Sequence, residues 1–124
     1  MISFVFTFVY HSCYIRWVRL ETLKYDGFDY DTGNPKKVRA HGVTLAEIDD
    51  FFNQELLIIE DLKHSINESR FIAVGLSPKR KRAMFVAFTT RIKRSEIYIR
   101  PISARYCHKK EAQIYETTKK DIQR

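Results

Sequence analysis

The sequence predicts an α+β domain: an antiparallel sheet of about four strands, with two helices before most of it and one helix after it. Three observations predict this. The stretch from Phe71 to Arg105 reads as three consecutive strands, FIAVGLS, AMFVAFTTR and EIYIRPISAR, joined by turns short enough to make neighbours antiparallel. Two helix starts precede them. A last segment, from His108 to about Ile122, places Ala112, Tyr115 and Ile122 roughly on one stripe.

In chain order, residues 1–24 come first as an apolar extension. Met1 to Tyr10 is almost wholly apolar but too short for a spanning helix, and no basic residue precedes it. It is read as a strand-prone extension, an added edge strand or a mis-assigned start, and residues 25–124 as the single domain. Tyr25 to Asp31 alternates aromatic and acidic residues as a short strand. Asn34 as N-cap, Pro35 at the first helical position and Gly42 just past the end bound a small basic helix. Thr44 and Glu47 form a capping box, with Val43 and Ile48 spaced as a hydrophobic staple, for a second helix ending near Asn53. Glu55 to Asp61 is a strand, and Lys63 to Arg70 a polar connection. In the middle strand of the last three, Met84, Val86 and Phe88 share one face, and Phe85, Ala87 and Thr89 the other. Pro101 cannot donate to a ladder, so the last strand is at an edge or bulged there. The closing helix turns polar at Thr117 and is expected to fray beyond it.

With 124 residues, the chain suits one core. A net charge of +7 and a pI near 9.5 fit a polyanionic partner, an anionic membrane surface or an acidic protein, and charge alone does not choose. Cys13 and Cys107 form neither a disulfide framework nor a zinc spacing, which points to a reducing compartment, the cytoplasm. Cys107 and His108 are adjacent, and adjacency in sequence does not make a thiolate–imidazole pair. There is no Gly-rich phosphate loop and no metal-ligand cluster, so neither a metal nor a cofactor is expected.

Five pieces together carry a resemblance: FDYD, NPKKVRAHGVTLAE, IEDLKHSINESRFIAVG, VAFTTR and IRPISARYCHKKEAQIYE, from Phe28 to Glu116. In this order and spacing they resemble the BrnT toxins of type II toxin–antitoxin modules. The resemblance implies a RelE-like α+β fold and a metal-independent ribonuclease that arrests growth. It further implies neutralisation by a BrnA-like antitoxin, a toxin homodimer, and a complex that binds operator DNA through the antitoxin, with no membrane partner. A non-catalytic basic binding module, acting as corepressor or interaction partner, is the alternative.

RNA cleavage of this kind needs a group to take the 2′-hydroxyl proton, another to protonate the leaving oxygen, and cations for the phosphorane-like transition state. Arg91 and Arg105 end strands beside Thr90 and Ser103 and are the candidate cations; as structural residues they would cap strand ends or pair with Glu111. His41 is the leading acid or base, or else a helix-end histidine complementing the dipole. Glu111 is a candidate base, or a first-turn carboxylate of the last helix. Tyr115, one turn later, is a candidate proton donor, or a residue packed on the sheet. The expected RNA-binding set is Lys37, Arg70, Lys93, Arg94 and His108, the last also a reserve acid or base; the plainer reading of such turn cations is a solvated surface.

Overall fold

The computed structural model describes residues 18–30, 36, 38–61 and 68–123. The apolar run at 1–17, the Asn34–Pro35 helix start, Lys37 and His64 lie outside the described residues.

The class is α+β, but the sheet is larger and less uniform than the pattern predicted. Six strands form one mixed sheet: β1 (Val18–Thr22), β2 (Gly27–Phe28), β3 (Glu55–Glu60), β4 (Phe71–Leu76), β5 (Ala83–Lys93) and β6 (Glu96–Tyr106). Their order is β1-β3-β4-β5-β6-β2. Two helices are described, α1 (Leu45–Phe51) and α2 (Lys109–Gln123), where three were expected. Two corrections account for the difference in strands. Val18–Thr22, in a stretch with no obvious partner, pairs antiparallel with β3 from Val18↔Ile59 to Thr22↔Glu55. The predicted strand around Phe28 shrinks to two residues that pair parallel with Tyr98 and Ile99 of β6. A parallel partner is invisible to alternation within one strand. The basic helix ends where predicted but tightens there: Lys36 and Val38 carry helical backbone, then Arg39–His41 form a 3-10 turn. Gly42 closes it in the left-handed region at φ 83°, which a residue with a Cβ adopts only at a cost.

Alternation along the strands builds a core on each face of the sheet. Ile58, Ala73, Met84, Val86, Phe88, Ile99 and Ala104 form one side with α1, the Val38 turn and the aromatic residues Phe51 and Phe52. Leu57, Ile59, Ile72, Val74 and Phe85 form the other, under Tyr115 and Ala112 of α2. The sheet is therefore a central layer with one helix on either side. Phe52 meets Phe51 and Phe88 edge-on, each at 5.3 Å between ring centres. α1 starts as its sequence demands: Thr44 and Glu47 cap one another, and Val43 and Ile48 are both buried. A Cβ on Gly75 of β4 would stand 2.6 Å from Leu56 Cδ2, so glycine there lets neighbouring chain close over the sheet.

α2 does not fray at Thr117. It runs on to Gln123, and Thr118 is buried with its hydroxyl donating to the Ile114 carbonyl at 2.9 Å. Ile122, placed on the apolar stripe from the sequence, is instead exposed.

β6 carries the feature that orients the site. Ala87 pairs with Ser103 but Phe88 pairs with Pro101, so Ile102 is an extra residue, a β-bulge. The bulge absorbs the proline and shifts the alternation by one. Ile99 and Ala104 both face α1, while Arg105 lies over Phe85 on the α2 side.

Candidate functional site

Where β5 begins, β6 ends and α2 starts, the fold gathers cations. Arg105, near the end of β6, points to the α2 side, its guanidinium 5.1 Å from the centre of the Phe85 ring. Nη1 and Nη2 donate to the two Glu111 carboxylate oxygens at 3.4 and 3.3 Å, a bidentate fork on a carboxylate that is almost fully buried. Nη1 also donates to the Tyr106 carbonyl at 3.3 Å. These bonds leave donors on Nε and Nη2. His108 Nε2 stands 3.4 Å from Arg105 Nη1, on a largely exposed imidazole.

Glu111 is placed by the start of α2. Its Oε1 accepts the His108 backbone N–H at 2.7 Å, half of a capping box, while its carboxylate also holds Arg105. The first-turn role and the arginine pairing coexist in one side chain.

The β4–β5 turn brings Arg80, Lys81 and Arg82 to the same end. Arg82 lies over the Tyr106 ring at 4.5 Å, and Arg80 at 5.8 Å. Lys81, Arg82, Cys107, Lys109 and Ala112 line an open cleft of about 380 Å³ beside α2. Burial pushes the Cys107 thiol up to about 12; the Glu111 charge adds to this, and Arg105 and Arg82 act against it. Arg82 and Cys107 line the same cleft, which opens beside the end of β6 that carries Arg105.

Beneath the turn sits a buried carboxylate. Glu47 accepts the Tyr106 hydroxyl proton in a short hydrogen bond and that of Ser77 at 3.3 Å, and Arg80 Nε lies 3.7 Å away. Burial works to raise its pKa, but the bonds from Tyr106, Thr44 and Ser77 and the Arg80 charge outweigh it, and the net shift is downward. Tyr106 is raised by burial and by its bond to Glu47.

The residues singled out from the sequence do not all meet here. Arg105, Glu111 and His108 do. Arg91 pairs with Tyr98 and Arg105 with Phe85, so along β5 they stand about 20 Å apart at ~3.3 Å per residue. Arg91 belongs to the far hairpin, with Lys93 and Arg94. There Lys93 Nζ pairs with Asp29 at 3.0 Å and lies over Tyr98. His41 is exposed at the end of the 3-10 turn that packs beside β6, on the α1 side. Tyr115 is 2 % exposed, its phenol raised to about 12 first by burial, and it is part of the core under α2. Arg70 is half-buried just ahead of β4. The sequence reading missed Glu47 as more than a cap, Ser77 and Tyr106 altogether, and took Arg82 only as one cation of a solvated turn that could attract RNA. The ISARY string and the PKRKR turn were in view, but only the β4–β5–β6 register shows that they meet.

The fold and the site together define a small basic α+β domain with arginines and an imidazole gathered at one end of its sheet. The chain matches the family described as ribonuclease toxin, BrnT, of type II toxin–antitoxin system over residues 30–111, and it belongs to that family. No curated protein matches the chain. Among the described residues, no helix is long and apolar enough to cross a membrane.

Proposed function

We propose that the chain cleaves RNA without a metal ion at the Arg105 end of the sheet, and that a BrnA-like antitoxin neutralises it. One observation carries the placement: Arg105, held by buried Glu111, stands 3.4 Å from the exposed His108 imidazole. Arg105 keeps free donors for a phosphate oxygen, and Arg82, which lines the cleft with Cys107, adds a second guanidinium. A scissile phosphate held there puts the 2′-hydroxyl or the leaving 5′-oxygen within reach of His108, which exchanges a proton with it. Attack of the 2′-oxygen on phosphorus breaks the bond to the 5′-oxygen and gives a 2′,3′-cyclic phosphate and a 5′-hydroxyl. Arg91, Lys93 and Arg94 bind RNA away from the scissile phosphate. The toxin works in the cytoplasm as a homodimer whose antitoxin complex binds operator DNA.

The test is pure protein incubated with RNA in excess chelator, with end-group analysis of the fragments. Cyclic phosphate and 5′-hydroxyl ends, lost in a folded Arg105→Ala variant, are expected. Intact RNA in chelator with cleavage on adding magnesium overturns the metal-independent reading.

A further inference from the structure

Glu47 is the one almost fully buried carboxylate besides Glu111 among the described residues, and the chemistry above does not use it. Its surroundings are specific. Oε1 closes the capping box of α1, and Oε2 faces outward to Tyr106, Ser77 and Arg80. Those three residues come from three places: the end of β6, the end of β4, and the β4–β5 turn. The turn itself is folded about Ser77. The Ser77 N–H donates to the Arg82 carbonyl at 2.7 Å, its carbonyl accepts from Lys81 at 2.8 Å, and its hydroxyl accepts from Arg80 N–H at 3.4 Å. Lys81 holds φ 56°, a conformation that a side-chain-bearing residue adopts only when its surroundings enforce it.

We infer that Glu47 is a positioning residue for the cationic site: its buried carboxylate ties the β4–β5 turn to Tyr106 and so holds Arg82 on the phosphate. This rests on the phosphate-binding reading above. A turn carrying four adjacent cations repels itself and would spread into solvent if unanchored. One buried negative charge beneath it offsets part of that repulsion and fixes the Tyr106 ring on which Arg82 lies.

The experiment uses the full chain and the variant Glu47→Gln, since glutamine still suits a capping box but carries no charge. Amide hydrogen exchange of Arg80–Arg82 is expected to quicken about tenfold, by loss of the turn's anchor, with α1 and the sheet unchanged. Affinity for a 2′-O-methyl RNA decamer, which cannot be cleaved, is expected to fall about tenfold. Its slope against log salt should drop by about 0.7, the value of one single-strand phosphate contact. With cleavable RNA, KM should rise while kcat stays within about twofold. Unchanged turn exchange in a folded variant overturns the inference, whatever RNA does. Faster exchange with unchanged decamer affinity overturns it too, leaving a structural anchor only. A wild-type chain that neither binds nor cleaves RNA refutes the function proposed above, and exchange alone then decides the anchoring. If Glu47→Gln does not fold, Ser77→Ala removes one arm of the same network and is read by the same measurements.

Discussion

Arg105 and Arg91 looked equivalent in the sequence, each a strand-end arginine beside a hydroxylated residue, and the register separates them by the length of a hairpin. Their substitutions should therefore differ. Arg105→Ala is expected to lower kcat/KM for RNA cleavage by about 10²-fold or more, the scale of losing one transition-state donor. Arg91→Ala should cost less than about tenfold, since it touches binding alone. Equal losses in steady-state kinetics would contradict the placement at the Arg105 end. At Cys107 the expected chemistry is inertness. Its thiol is buried and pushed up to about 12, so it is protonated at neutral pH. Peptide mapping after alkylation at pH 7.5 should find Cys107 modified only once the chain is denatured. Neither property was legible in the sequence, because burial and pairing depend on which strands lie side by side.

Individual elements were legible where their signals are local. The capping box and staple of α1 and the alternation of β5 need no distant partner, and the structure has them. The β5–β6 turn was visible too, but its strain was not. Arg94 and Ser95 both hold positive φ, 54° and 68°, as a two-residue type I′ turn requires. Arginine and serine fit that geometry poorly, so replacing them with Asn-Gly should stabilise the chain by about 1 kcal/mol, seen as a higher denaturation midpoint. The α1 start makes a prediction about acid. Glu47 has its folded pKa lowered, so its contribution is complete above its unfolded value near 4.5 and is lost as pH falls through the lower folded value. The wild-type advantage in Tm over Glu47→Gln should accordingly be flat at neutral pH and shrink below about pH 4.5.

For the whole molecule, sequence reading captured the last four strands and the two helices and missed both pairings that cross long stretches of chain. β1 reaches β3 across more than thirty residues, and β2 lies parallel to β6. Nothing in either segment's own pattern names its partner, and both depend on tertiary closure. β1 buries Val18 and Leu20 against the α2-side core, so its loss should matter. A chain started at Tyr25 is expected to lose solubility, because the outer edge of β3 then lies open to intermolecular pairing. Sedimentation of the truncated protein after lysis reads this directly, and a soluble, monomeric product would contradict it.

Ile102 sets the phase of everything after it. A strand behaves as a two-beat signal, and one inserted residue inverts every beat that follows. Paired as an ordinary ladder residue, Ile102 would move Arg105 opposite Met84, in step with Ile99 and toward the aromatic core, while Tyr106 would swing away from Glu47. Deleting this one aliphatic residue, which touches no phosphate, would flatten the bulge and leave Arg105 opposite Phe85. The bulge between Ile99 and Arg105 is therefore as much a part of the site as any charge in it.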